Sequence, residues 1–341
     1  MQIKLHEWHT IEAISDKRIL TLEDLLQATN MDKELWEVLN VIQNKWDCSS
    51  TNRKDWNITT VENPQIQATL RPLSQLVKPD IMARLKEILD SNIKPLVTVP
   101  EKEWDVLANI NHFDLHINRY ANNPKKYLKE IDDKTMRLFE TLLRDNPSKL
   151  LYINGGDYFN SDIKARTTKG TDQLNSLKEQ DAFGIGLQHQ RDLIATFASE
   201  LPVDVMYLAG NHDLYSTNYL GQAIDLAFSK TDWVTIDSSD KPIKRINRGN
   251  NTIATMHWDK IKDNQIMPNL VTEGNTKKFI YAMKGDKHVK TTKEIGNCLI
   301  DTYPSPSNHD DWSLRNWWNK KGKIYGNSFD KKEGKIAEYG R

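Results

Sequence analysis

The chain has 341 residues, 38% apolar and 28% charged, and its 47 Lys and Arg balance its 47 Asp and Glu. Such a chain can bury one large core and a smaller module, and its neutral total excludes a protein held to nucleic acid or to an anionic membrane by overall charge alone. Two cysteines, Cys48 and Cys298, exclude a disulfide framework or a cysteine zinc site, and no run reaches the roughly 20 apolar residues of a bilayer span, so a cytoplasmic protein with no membrane partner is expected.

The start, MQIKLHEWHTIEAISDK, is polar and has no hydrophobic signal core. Residues 21–40, TLEDLLQATNMDKELWEVLN, read as two short helices, with Thr21 and then Asn30 or Asp32 as caps. Three β-like pieces follow, VIQNKWDC, WNITTVE and QIQATLRP. Two helices and a hairpin is the order of a winged helix-turn-helix, a module that often binds DNA; this one is not basic, so a docking or packing domain is the alternative. Pro72 and Pro79 suggest a boundary, which gives a module over 1–78. Residues 79–103 then hold an amphipathic helix at 80–90, DIMARLKEILD, and a linker, NIKPLVTVP.

From residue 104 apolar runs alternate with amphipathic helices, the grammar of an α/β fold. The strands are WDVLANIN, KLLYING, DVMYLAG, NTIATMH, KFIYAMK and NCLIDTY, and the clearest helices are 127–144 and 187–199. This region runs to 305. Residues 306–341 form a Trp/Lys-rich tail in which Trp312, Trp317 and Trp318 neighbour lysines, an arrangement that stacks bases or packs the tail onto the domain; disorder is expected after about 326. Charge is uneven. Residues 101–240 carry a net of −7, as a metal-carboxylate site would, and residues 241–341 a net of +9, which suits a polyanion or simple solubility.

Five successive strands end in Asp, Asn or His. The first leads to Asp114 and His116, the second to Asp157, the third to Gly210-Asn211-His212-Asp213, the fourth to His257 and the fifth to Asp286 and His288. Residues at i and i+2 of extended chain share a face, so Asp114 with His116, and Asp286 with His288, can each reach one ion. Open α/β sheets place ligands at such C-terminal strand ends. Each piece alone is weak; the ordered series is not. Mixed oxygen and imidazole donors suit Mn²⁺, Fe, Zn²⁺ or Ni²⁺ over Ca²⁺. His9, His112, His189 and His309 are left as surface or core histidines.

The order Asp-x-His, Gly-Asp, Gly-Asn-His-Asp, His, Gly-x-x-His over about residues 104–303 resembles the calcineurin-like metallophosphoesterase superfamily. The resemblance implies a four-layer β-sandwich flanked by helices, here with the small N-terminal winged-helix-like module, and two divalent metal ions, Mn first with Mg, Fe or Zn as alternatives. It implies that Asp114, His116 and His288 hold one ion, Asn211 and His257 the other, and that Asp157 bridges them. His212 would stabilise or protonate the leaving oxygen, with Asp213 or Asn160 fixing its tautomer. The family's terminal Gly-His-x-His is here Gly285-Asp286-Lys287-His288, so Asp286 is expected as a harder, anionic ligand, the alternative being a weakened second site.

The Ser/Thr phosphatase pattern Gly-Asp-x-x-Asp-Arg-Gly is absent; GDYFNSD is closer to SbcD/Mre-type nucleases and phage phosphoesterases. Arg166, Thr168 and Lys169 in the following loop, IKARTTKGTDQLN, suit a loop that closes on phosphate or a solvated one. The expected function is a dinuclear-metal-dependent phosphodiesterase acting on nucleic acid, a DNA nuclease of phage or mobile-element type. The alternatives are a phosphoesterase for a cyclic or dinucleotide and a nonhydrolytic binding protein. Nucleic acid is the expected partner and a homodimer is compatible; SbcD/Mre-type enzymes work with an ATPase, but no segment marks a surface for one.

Overall fold

The computed structural model describes residues 2–6, 10–14, 21–23, 25, 36–51, 58–72, 105–119, 123–257, 261–272, 274, 276–307 and 322–341. The helix expected at 80–90, its linker, and Trp312, Trp317 and Trp318 lie outside these. The chain divides into two units, Met1–Pro79 with Ser176–Lys178, and Asp80–Asn175 with Glu179–Arg341.

In the first unit β1 (Gln2–His6), β2 (Thr10–Ile14), β3 (Trp36–Thr51) and β4 (Ile58–Pro72) form an antiparallel sheet in the order β1-β2-β4-β3. β3 and β4 pair from Trp36 opposite Pro72 to Thr51 opposite Ile58, with an irregularity between Val38 and Asn40. The three expected β pieces thus merge into one long hairpin. Trp36–Asn40, read as the end of a second helix, is strand instead. Trp36 and Val38 are good strand formers, and the ladder to β4 overrides the helical spacing.

The second unit is built on two sheets. A six-stranded sheet has the order β15-β14-β5-β6-β7-β8, with β5 (Val106–His112), β6 (Lys149–Asn154), β7 (Val203–Tyr207) and β8 (Val234–Asp237) parallel. Its other two strands, β14 (Tyr325–Asp330) and β15 (Gly334–Gly340), come from the end of the chain and run antiparallel. The expectation of disorder after 326 is therefore corrected. Lys/Gly-rich composition gives little intrinsic order, but Gly326, Asn327 and Ser328 are buried by pairing with β5. A five-stranded sheet has the order β12-β13-β11-β10-β9, from β9 (Ile243–Arg248), β10 (Asn251–Met256), β11 (Phe279–Lys284), β12 (Thr291–Ile295) and β13 (Cys298–Thr302).

Strand alternation sorts the side chains into layers. On one face of the six-stranded sheet Ala108, Ile110, Leu150, Tyr152, Val203 and Val205 meet three helices. These are α1 (Pro124–Leu143), α2 (Glu179–Ala198) and α3 (Leu214–Phe228). On the other face Leu107, Leu151, Ile153 and Met206 meet Ile253, Tyr281 and Met283 of the five-stranded sheet. The outer face of that sheet, with Ala254, Met256, Ile280 and Ile300, is covered by Ile266 and Leu270 of α4 (Asp263–Thr272). The result is the expected four-layer sandwich, helices–sheet–sheet–helix. Among the described residues no helix is long and apolar enough to cross a membrane.

Candidate metal centre

The loops after β5, β6, β7, β10 and β11 converge at one end of the sandwich. His116 Nε2 lies 3.4 Å from His288 Nε2 and 4.0 Å from Asp157 Oδ2. His257 Nε2 lies 3.3 Å from Asp114 Oδ1 and 3.5 Å from Asp157 Oδ2, and His288 Nε2 lies 3.9 Å from Asp114 Oδ1. Three groups have donor atoms all within 4.8 Å of one another: Asp114, His116 and His288; Asp114, Asp157 and His257; and His116, Asp157 and His212. Asp114 and Asp157 thus sit between donors from both sheets.

The backbone here is unusual. Asp114, His116, Asp157, Asp286 and His288 all have positive φ, between 46° and 75°. That region is costly for residues with a Cβ and persists only where surroundings impose it. The loops are indeed laced together. Asp286 N–H donates to Asp114 Oδ2 at 2.8 Å, His212 N–H to Asp157 Oδ1 at 2.8 Å, and Asp114 N–H to the Gly156 carbonyl at 3.1 Å. Close approach also demands small residues. A Cβ on Gly210 would overlap Asp157 Oδ1, and one on Gly285 would sit 2.8 Å from Asp114 Oδ2.

Two buried carboxylates, Asp114 and Asp157, meet at this centre. Burial by itself would raise the Asp114 carboxyl, but His288 and His257 outweigh burial and hold it below its usual range. Asp157 is raised, by burial first and by the Asp114 charge, against the pull of His257 and His212. Burial, then neighbouring charges beginning with His212, drives His116 well below its ordinary value, so its imidazole is neutral and ready to ligate. Asn211 Oδ1 and His116 Nδ1 are buried without a hydrogen-bond partner among the described residues. Buried, like-charged carboxylates beside neutral imidazoles facing one another at 3.4 Å fit divalent cations well.

Among the described residues the Asp286 carboxylate joins none of the three donor groups, while its N–H donates to Asp114. Asp213 does not hold the His212 ring either. It is wholly buried and accepts Phe159 N–H at 2.8 Å, Gly210 N–H at 3.0 Å and the Thr217 hydroxyl at 2.5 Å, and burial, then the Asp157 charge, pushes its pKa up to about 7. The ring is held by the Asn160 backbone carbonyl, which accepts from Nδ1 at 2.9 Å; the Asn160 amide donates elsewhere, to Leu174 O and Asn175 Oδ1. A carbonyl can only accept, so Nδ1 carries the proton and Nε2 is left for chemistry.

The loop after β6 is packed rather than open. The Thr168 hydroxyl donates to Asp162 Oδ2 at 2.6 Å and accepts Leu214 N–H, Thr168 N–H donates to the Asn211 carbonyl, and exposed Arg166 pairs with Asp172; Lys169 is exposed. Thr168 is thus occupied in structure. Asp162, not singled out from the sequence, accepts Tyr215 N–H at 3.1 Å and Ser216 N–H at 3.0 Å, capping α3 across the loop in place of Asp213. The Asp of GDYFNSD was the available signal. His112 and His189 are internal, bonded to Tyr152 and Thr135 and to Tyr158 and Asp132; His9 and His309 lie outside the described residues.

A model of the calcineurin-like phosphoesterase family matches residues 114–337, well over half the chain, from the first donor into β15. The chain belongs to this family. As a calcineurin-like phosphoesterase it is a metal-dependent hydrolase of phosphoester bonds. Solved structures are similar to the chain only at a distance. They include the Escherichia coli phosphoesterase YfcE (9% identity, TM-score 0.35, covering 69% of this chain and 98% of that one). A predicted phosphoesterase of Streptococcus pneumoniae TIGR4 follows at 11% identity and TM-score 0.31, with 69% and 98% covered. Vps29 of Chaetomium thermophilum follows at 10% and 0.32, with 70% and 97% covered. These likenesses are too remote to carry function. A search of curated proteins finds no match.

Proposed function

We propose that the protein hydrolyses phosphodiester bonds in nucleic acid, DNA first, with Asp114, His116 and His288 holding one divalent cation, Asn211 and His257 a second, and Asp157 shared. The observation that carries this is the convergence of Asp114, His116, Asp157, His212, His257 and His288 from five strand ends within a few ångströms. Manganese heads the candidate ions, with Mg, Fe and Zn behind it, because the donors mix carboxylate and amide oxygen with imidazole. A cation pair there supplies Lewis acidity, making water more acidic and offsetting charge on phosphoryl oxygens.

The chain's own residues do the rest. Asn211, a neutral donor, limits the negative charge of the centre. Asp286 N–H aims the Asp114 carboxylate. His212, fixed through Nδ1 by the Asn160 carbonyl and through its backbone by Asp157, presents Nε2 to protonate the leaving oxygen. Asp213 keeps the Gly210 and Phe159 turns in register beneath it.

Nucleic acid is favoured by the absence of the protein-phosphatase pattern and by the net +9 of residues 241–341. The neutral whole favours a small cyclic or dinucleotide as the second reading. Turnover of bis-p-nitrophenyl phosphate against the monoester, in Mn²⁺, Mg²⁺ and Zn²⁺, tests the diesterase; degradation of linear single- and double-stranded DNA, with steep salt dependence, tests the polymer. Monoester turnover alone overturns the first, and intact DNA beside active diester turnover moves the substrate to a small nucleotide. Metal uptake with no hydrolysis of any ester would leave a binding protein.

A further inference from the structure

The first two turns of α3 expose two tyrosines to solvent. Thr217, Leu220, Gly221, Ile224 and Phe228 are buried against the core, while Tyr215 and Tyr219 on the opposite side are 49% and 60% exposed. A surface helix ordinarily carries charge on its outer face, yet the only charged residue of α3 is Asp225. Tyr215 and Tyr219 are four residues apart and therefore neighbours on one side of the helix. They occupy its first two turns, and Tyr215 follows His212 by three residues. The start of the helix is anchored to the preceding loop, where Asp162 accepts the amides of Tyr215 and Ser216 and Thr168 that of Leu214. The loop that makes these bonds also exposes Arg166, Lys169 and, at 60%, Ile163.

We infer that Tyr215 and Tyr219 are a stacking platform for bases of single-stranded nucleic acid whose scissile phosphodiester lies at His212. The inference rests on the nucleic-acid reading above and adds a specificity element to the same site. Tyrosine rings suit the task, being flat, stiff and tolerant of every base, and exposed Lys169, on the loop that binds the start of α3, suits the backbone phosphates. A second copy of the chain is a poorer occupant. The exposed apolar side chains of α3, these two and Leu226, cover far less than the roughly 800 Å² per partner of a stable interface.

The test compares cleavage of a single-stranded oligothymidylate with the same strand carrying abasic tetrahydrofuran units at the nucleotides flanking the cut. Wild type should prefer the strand with bases, and the preference in kcat/KM should fall by about tenfold in the Tyr215→Ala/Tyr219→Ala double variant, the scale of one or two lost stacks. Tyr215→Trp/Tyr219→Trp should restore it. Equal preference in wild type and the Ala variant, or no preference in wild type, overturns the platform while leaving the nuclease standing. Wild type that hydrolyses bis-p-nitrophenyl phosphate but neither strand overturns the nucleic-acid reading itself. A dimer in sedimentation that the Ala variant disperses, with base preference intact, overturns the platform in favour of a second copy.

Discussion

His212 is fixed twice by the loop after β6, its amide on Asp157, a candidate cation ligand, and its ring on the Asn160 carbonyl. His212→Asn should therefore lower kcat by about 10²- to 10⁴-fold, the usual worth of a positioned proton donor, with bound metal by elemental analysis unchanged. Asp157→Asn should lose both, because the carboxylate faces His116 and His257 alike. Metal loss in the His212 variant would make that ring a ligand through the His116–Asp157–His212 group. At this scale the convergence of the candidate donors was readable because each follows an apolar strand, and Asn211, His212 and Asp213 put three polar residues in a row at one such end. Asp213 was misread because chain order does not say which way a buried carboxylate turns; three converging donors from Phe159, Gly210 and Thr217 took it.

The elements carry the loops in a way that leaves glycine little latitude. Gly210→Ala would push a methyl into Asp157 Oδ1, so activity should be lost while far-UV circular dichroism stays near wild type. Asp162→Ala removes the cap of α3, which should cost about 1–2 kcal/mol in urea unfolding, the price of a lost N-cap. Both tests separate the scaffold of the site from its chemistry. The strands β5, β6, β7, β10, β11 and β13 were legible as apolar runs, since each is buried on both faces of a layered fold. β12, TTKEI, was not, because an exposed edge strand keeps a polar sequence. β14 was missed for a different reason: Asn327 is buried only by what meets it, its amide bonding Asn109 Oδ1 and the Tyr303 hydroxyl at 3.0 Å each.

Across the whole catalytic unit, Asp301 ties the sheets together. On β13, 2% exposed, it accepts Lys290 at 2.7 Å, Thr292 at 2.5 Å and, from β15 of the other sheet, Lys335 at 2.9 Å. Burial would raise its pKa, but the Lys290 and Thr292 bonds, the Lys290 charge and the Lys335 bond together hold it below the ordinary 3.8. A carboxyl lowered on folding adds stability that is complete above its unfolded value and lost as pH falls through the folded one. Asp301→Asn should thus cost about 3 kcal/mol at pH 7 and flatten the loss of stability below about pH 4, both measurable by urea titration across pH. The cation donors span the same two layers, Asp114 and Asp157 from one and His257 and His288 from the other. Manganese should accordingly raise the melting temperature in a concentration-dependent manner, by about 2.7 kcal/mol of linkage at a hundredfold excess over Kd.

The sandwich and the hairpin were legible from the sequence, whereas the extension of β3 back to Trp36 was not, since the spacing of Trp36–Asn40 also suits a helix. The pairing of β14 with β5 also sets the order of events during synthesis. Asn109 opposes Asn327, so the strand that leads to the first candidate metal ligand waits for more than two hundred further residues before its second neighbour arrives. A nascent chain halted before Tyr325 would carry every ligand and still present a bare strand edge, the kind that recruits chaperones or other unfinished chains.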